Sequence, residues 1–102
     1  MKELKHIKPE SVKTVEDLNN WLETLGSEGT SFFTNPDFVS AIMGLTEDEC
    51  LLYNYDKMIE HLVETDDMSV EDAEDFICYN TLRTIPYMGE KSPIVDFDED
   101  YK

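Results

Sequence analysis

Basic residues are scarce in this chain. Its 102 residues include only eight Lys and Arg against 24 Asp and Glu, so the formal net charge is −16. Such a field repels nucleic acid and anionic membranes and attracts basic surfaces. We therefore expect no direct binding to nucleic acid or to a membrane, and a partner that is itself basic. The exception is residues 1–13, where four Lys oppose two Glu.

Cysteine and long apolar runs are also lacking. Cys50 and Cys78 are too few for the disulfide framework of a small secreted domain, and they fit the reduced thiols of a cytoplasmic protein. No apolar run approaches the roughly 18 residues of a membrane-spanning helix. The Lys-rich N-terminus has no apolar segment typical of a secretory signal. The sequence therefore predicts a cytoplasmic protein.

Motifs for catalysis or cofactor binding are missing as well. No glycine-rich loop could bind phosphate, and the two histidines and two cysteines form no closely spaced pair of zinc ligands. The acidic stretches 65–67 and 96–100 lack the spacing and the glycine of a calcium loop. We expect neither an enzyme nor a bound metal or cofactor, with His61 as a solvated or boundary residue.

Apolar residues make up 40% of the chain, enough for one domain with a single core. We predict a mobile basic arm over residues 1–13, one domain over 14–97 and an acidic tail over 98–102. Thr14 should begin a helix, because its hydroxyl can cap free N–H groups. Gly26 should end it. Apolar residues between them recur at helical spacing, at Leu18, Trp21, Leu22 and Leu25.

Residues 38–53 are compatible with two structures. Local signals slightly favour a helix, since residues 35–37 could cap it and Thr46-x-x-Glu49 has the pattern of a capping box. The alternative is a β-hairpin whose strands, 38–45 and 50–53, are joined by the acidic turn 46–49. The residues alone leave both structures open.

Two helices and a strand are predicted after this segment. Asn54 or Asp56 caps the first helix, and its apolar stripe is Tyr55, Met58, Ile59 and Leu62. Ser69 caps the second, with an expected buried face of Val70, Ala73, Phe76, Ile77 and Asn80. Separated only by residues 65–68, the two helices should form an antiparallel hairpin. Ile85-Pro86 should prevent a continuing helix, and residues 93–97 should form a strand.

Over residues 38–97 the chain resembles a small family of uncharacterised proteins encoded by bacteria and their phages. The similar stretches are 53–58, 71–77 and, most specifically, 79–87 followed by 93–95. The resemblance implies two strands before residue 53 and an origin in a phage or mobile element, and it carries no known activity with it. We therefore predict an α+β fold: an N-terminal helix, a β-hairpin, an antiparallel helical hairpin and a C-terminal strand that completes a small antiparallel sheet.

The acids are densest over residues 47–75, where twelve carboxylates and Lys57 give a net charge of −11. Two helices of about 20 Å each would space these charges about 3.6 Å apart, close to the about 3.4 Å of one DNA strand. Like charges four residues apart also oppose helix stability. The candidate partner-binding residues are Asp56, Glu60, Glu64, Asp66, Asp67, Glu71, Asp72 and Asp75.

These features predict a non-enzymatic phage or mobile-element protein that mimics nucleic acid. It would inhibit a basic, nucleic-acid-binding bacterial protein such as a CRISPR effector, a restriction enzyme or a transcription factor. The alternative is a small structural or interaction domain whose acidity only keeps it soluble and which could dimerise through a sheet edge. Arg83, the only Arg, is interpreted as a clamp between the second helix and the final strand.

Overall fold

The computed structural model of the protein describes residues 4–27, 29–34 and 36–97. Short helical turns lie at Val39–Ala41 (3₁₀), Ile77–Thr81 (π) and Leu82–Tyr87 (3₁₀). The fold is α+β, as predicted. Its main elements in chain order are β1 (Leu4–Ile7), α1 (Val15–Thr24), β2 (Ile42–Thr46), β3 (Leu51–Asn54), α2 (Tyr55–Asp66), α3 (Val70–Phe76) and β4 (Ile94–Asp96).

The sheet has the strand order β1-β2-β3-β4 and is mixed. β1 and β3 run antiparallel to β2, whereas β4 runs parallel to β3. The expectation of a wholly antiparallel sheet was wrong. The long connection between β3 and β4 contains α2 and α3, and it returns the chain to the end of the sheet where β3 began. A strand that starts there runs in the same direction as β3.

The hairpin predicted for residues 38–53 is present as β2 and β3, and the helical alternative is not formed. Its first strand begins at Ile42 rather than at residue 38. Phe38 has a φ of 51°, which is left-handed backbone, and a 3₁₀ turn follows it. The side chain of Phe38 is nevertheless fully buried. Burial of this ring offsets the unfavourable backbone conformation.

Residues 4–13 belong to the domain, contrary to the expectation of a mobile arm. β1 pairs with β2, Val12 is buried, and the Lys8 side chain donates a hydrogen bond to the Val12 carbonyl at 3.0 Å. β1 is only four residues long, so its alternation of apolar and polar residues is too short to predict a strand from the sequence. Residues 1–3 and the predicted acidic tail, 98–102, lie outside the described residues.

α1 forms as predicted. The Thr14 hydroxyl accepts a hydrogen bond from the Asp17 N–H, and the Asp17 carboxylate accepts one from the Thr14 N–H, which completes a capping box. The helix ends at Thr24, and Gly26 follows with a φ of 75°. Its inner face joins a core that lies between the sheet and the helices. Fully buried members of that core include Leu18, Leu22, Phe38, Leu45, Leu51, Tyr53, Met58, Leu62 and Ile77.

α2 and α3 also begin where predicted. The Asn54 side chain accepts from the Lys57 N–H, and the Ser69 hydroxyl accepts from the Asp72 N–H. Met58, Ile59 and Leu62 of α2 are buried, and the two helices are in contact. No helix in the described part of the chain is long and apolar enough to cross a membrane.

The predicted inner face of the second helix was wrong at both ends. Ala73 and Ile77 are fully buried, but Val70 is 55% exposed and Asn80 is exposed. Asn80 lies in the π turn, where each hydrogen bond spans one more residue than in an α-helix, so the 3.6-residue period shifts. Thr81 is buried in its place.

Pro86 does not end helical structure. The π turn follows α3 directly, and the 3₁₀ helix Leu82–Tyr87 continues through Pro86. Proline fixes φ near −65°, which is also a 3₁₀ value, so a short 3₁₀ segment tolerates it. The expectation that Ile85-Pro86 precludes further helix therefore holds for α-helix only.

Candidate functional site

The candidate site is a carboxylate surface on α2, α3 and the link between them. All eight predicted partner-binding residues are exposed. Glu74 of α3 is exposed as well and belongs with them. Glu74 was not among the residues predicted from the sequence, although residues three apart on a helix, such as Glu71 and Glu74, are neighbours on its surface. We call this surface the acidic face: Asp56, Glu60, Glu64, Asp66, Asp67, Glu71, Asp72, Glu74 and Asp75.

Helical periodicity places these carboxylates outside. Because Met58, Ile59 and Leu62 point into the core, the residues four apart on the opposite side of α2 point to solvent. Those residues are Asp56, Glu60 and Glu64. In α3, the buried side chains of Ala73 and Ile77 face the core in the same way, so the acids of that helix point to solvent. Like charges at this spacing each cost a few tenths of a kcal/mol, so the acidic face opposes the stability of its own helices.

The end of α2 is electrostatically unfavourable too. Its last turn contains no basic residue but includes Asp66, although a helix C-terminus carries partial negative charge. Asp67 follows as the C-cap with a φ of 56°, left-handed backbone that favours glycine. Asp66 is therefore unfavourable through its charge, and Asp67 through its backbone conformation as well.

Asp67→Gly should therefore raise the free energy of unfolding by about 1 kcal/mol, because glycine adopts positive φ without strain and the negative charge leaves the helix end. Urea unfolding followed by circular dichroism measures this. Asp67→Asn, which removes the charge but keeps a side chain, should give a smaller gain. An unchanged or lower stability of the glycine variant would contradict an unfavourable C-cap.

The structure pairs a carboxylate with a lysine away from the acidic face. Lys91 Nζ lies 2.6 Å from Glu49 Oε1, in the turn between β2 and β3. This hydrogen bond and the charge of Lys91 lower the pKa of the Glu49 carboxyl.

Over residues 55–76, Lys57 is the only basic residue beside nine acids, a net charge of −8 with His neutral. The acidic face is thus poor in internal counter-charges.

An aromatic pair borders the acidic face. Tyr55 begins α2, Phe97 follows β4, and their ring centroids lie 4.7 Å apart. Burial raises the pKa of the Tyr55 hydroxyl, and Glu74, Cys78, Asp56 and Asp75 raise it further. No pattern in the sequence predicts this contact, because it depends on the parallel pairing of β3 with β4.

The other residues considered in the sequence analysis, namely Arg83, His61 and the two cysteines, are not part of the acidic face. Arg83 is exposed and has no ion pair with any residue in the described ranges, so the expected clamp to the final strand is not formed. His61 is half-buried against Phe38, and its Nδ1 lies 3.5 Å from the Ser40 hydroxyl, at the long limit of a hydrogen bond. Cys50, which is buried, and Cys78, which is exposed, form no disulfide with each other.

A groove of about 230 Å³ lies between residues 32–34 and Pro36 on one side and the helical turns 80–88 on the other. The described residues that line it carry no ionisable side chain: Phe32, Phe33, Thr34, Pro36, Asn80, Thr81, Thr84 and Met88. Within the described ranges, no group of three or more His, Cys, Asp or Glu is arranged to hold a metal ion. Among the described residues, the acidic face is therefore the largest group of ionisable side chains that could contact a partner.

Comparison with known proteins found no matching family model, no matching curated protein and no matching solved structure.

Proposed function

We propose that the protein is a non-enzymatic inhibitor that binds a basic, nucleic-acid-binding bacterial protein through the acidic face. As a nucleic-acid mimic encoded by a phage or mobile element, it would occupy the groove in which the partner holds DNA or RNA. The observation that carries the proposal is the exposure of every carboxylate of the acidic face on helices that these charges destabilise.

The charge density supports the same proposal. With 12 and 7 residues, α2 and α3 are about 18 Å and about 10 Å long. The net charge of −8 over residues 55–76 then corresponds to one charge per about 3.5 Å of helix. A DNA strand carries one charge per about 3.4 Å. A protein groove built to neutralise phosphates would meet a similar number of negative charges here.

A dimer formed through a sheet edge is less favoured. β1 and β4 are the edge strands, and Ile7 on β1 is 76% exposed. However, β1 has only four residues and β4 three, and β1 carries an exposed Lys5. Short edges and edge lysines are features that oppose strand-to-strand association.

The test begins with capture of partners from a bacterial lysate on the immobilised protein, at low and moderate salt. A captured nucleic-acid-binding protein should be displaced by its own DNA or RNA, and its affinity should fall steeply between about 0.05 and about 0.2 M salt. The variant Glu60→Lys/Glu64→Lys/Glu71→Lys should lose more than about 10-fold in affinity.

A matched control separates the acidic face from net charge. Glu10→Lys/Glu23→Lys/Glu90→Lys changes the same number of exposed glutamates outside the acidic face. It should bind within about 3-fold of the wild type, since distant charges are screened. Equal losses in the two variants, or binding that is insensitive to salt, would refute the proposed function.

A further inference from the structure

Parallel pairing at one end of the sheet brings two aromatic rings together. Asn54 of β3 and Asp96 of β4 are register partners, and the residues that follow them are Tyr55 and Phe97. Their rings are tilted by 46° at a centroid distance of 4.7 Å. Phe97 is 39% exposed and Tyr55 is half-buried. The pair presents part of an aromatic surface to solvent beside the first turn of α2.

The electrostatic surroundings of this pair are negative. The ionisable groups that raise the pKa of the Tyr55 hydroxyl are the carboxyls of Glu74, Asp56 and Asp75 and the thiol of Cys78, and Glu74 has the largest influence among them. Asp56 adjoins Tyr55 and Asp96 adjoins Phe97 in sequence. Aromatic ring faces carry negative electrostatic potential of their own. Rings and carboxylates here therefore attract the same class of ligand, an organic cation.

We propose that Tyr55 and Phe97, with the carboxylates of Asp56, Glu74 and Asp75, form a binding site for an arginine side chain of a basic protein partner. A guanidinium is planar, so it can stack on a ring while its N–H groups donate to a carboxylate. A lysine ammonium is more strongly hydrated and cannot stack in this way. The inference rests on the proposed function, because it assumes that the acidic face binds a basic protein. It adds that one arginine of that protein binds at the edge of the acidic face, between the aromatic pair and the carboxylates.

Nona-arginine and nona-lysine peptides, which have equal charge, are suitable probes. Isothermal titration calorimetry of the full chain should show tighter binding of nona-arginine. Phe97→Leu keeps an apolar side chain but removes the ring, so it should weaken nona-arginine binding about 3- to 10-fold. Nona-lysine affinity should change by less than about 2-fold. Phe97→Tyr, which keeps an aromatic face, should bind as the wild type does.

Two further variants keep the test decisive. Tyr87→Leu removes an aromatic ring that is 89% exposed and outside the pair, and should leave both affinities unchanged. Glu74→Gln, at an exposed helical position, should also weaken nona-arginine more than nona-lysine, and it provides the test if circular dichroism shows that Phe97→Leu is unfolded. Equal affinity of the wild type for the two peptides, or equal losses for both peptides in Phe97→Leu and Glu74→Gln, would overturn the arginine site.

The same titrations separate this inference from the proposed function. Glu60→Lys/Glu64→Lys/Glu71→Lys should weaken both peptides by a similar factor, because it removes long-range attraction and leaves the aromatic pair intact. If the protein fails to compete with nucleic acid for a basic partner but retains a Phe97-dependent preference for nona-arginine, the mimicry is refuted and the arginine site stands. The reverse result refutes the site alone.

Discussion

Tyr53→Ala should lower the free energy of unfolding by about 3–5 kcal/mol, the range found when a large buried aromatic is truncated. Tyr53 lies on the central strand β3 and is fully buried. Its ring packs against Phe33 at a centroid distance of 4.8 Å, and its hydroxyl accepts a hydrogen bond from the Phe33 N–H at 3.2 Å. Truncation removes the packing and leaves a buried N–H without its acceptor. Urea unfolding measures the loss.

Two comparisons divide that loss into parts. Tyr53→Phe removes only the hydroxyl and should cost about 1–3 kcal/mol, the penalty of an unpaired buried donor. Tyr87→Ala, at a side chain that is 89% exposed, should stay within about 0.5 kcal/mol of the wild type. A Tyr53→Ala variant as stable as Tyr87→Ala would show that Tyr53 does not hold the loop at Phe33 to the sheet.

Tyr53 should also make stability dependent on alkaline pH. Burial raises the pKa of its hydroxyl well above the ordinary value near 10. The folded protein then holds this proton more tightly than the unfolded chain, so stability is fully present below about pH 10 and is lost as pH rises above it. Unfolding at about pH 8 and about pH 11 should show a smaller alkaline loss for Tyr53→Phe than for the wild type.

Gly44→Ala should cost about 2–3 kcal/mol and weaken the attachment of β1. A Cβ at position 44 would lie 2.2 Å from the backbone oxygen of His6 and 3.1 Å from the Cα of Ile7. These are backbone atoms, so no side-chain rotation relieves the overlap. β1 would have to move away from β2. Hydrogen exchange of the Lys8 amide, which bonds to the Met43 carbonyl at 3.1 Å, should become faster.

Gly29→Ala is the matched control for this variant. A Cβ at position 29 would meet only the flexible end of the Lys91 side chain, at 4.0 Å. Its stability should therefore remain within about 0.5 kcal/mol of the wild type. If Gly44→Ala were equally stable and its Lys8 amide equally protected, the close approach of β1 to β2 would be disproved.

Local chemistry made the helix starts predictable. Thr14, Asn54 and Ser69 each accept a hydrogen bond from an N–H three residues later, so the interaction lies within four residues of sequence. The apolar stripe of α2 follows the same period that defines the helix. The outward positions of Asp56, Glu60 and Glu64 follow from that stripe, and those of the acids on α3 follow from the inward positions of Ala73 and Ile77.

Contacts between distant segments were not predictable in this way. β1 depends on a glycine 37 to 40 residues away in sequence that leaves room for its backbone. The direction of β4 depends on how α2 and α3 return the chain. The π turn after α3 moves Asn80 out and Thr81 in, because it inserts a longer hydrogen-bonded ring into the helical period.

The sequence by itself determined the α+β class, the three helix starts, the hairpin once the resemblance was considered, and an acidic surface opposite the core. The helix starts and the acidic surface follow from spacing, capping or charge, which act over a few residues, whereas the hairpin, and with it the α+β class, also required the resemblance. Only the tertiary structure decided the mixed sheet, the edge strand β1 and the pairing of Tyr55 with Phe97. Those features depend on which distant backbones approach one another, and packing of the whole domain sets that approach.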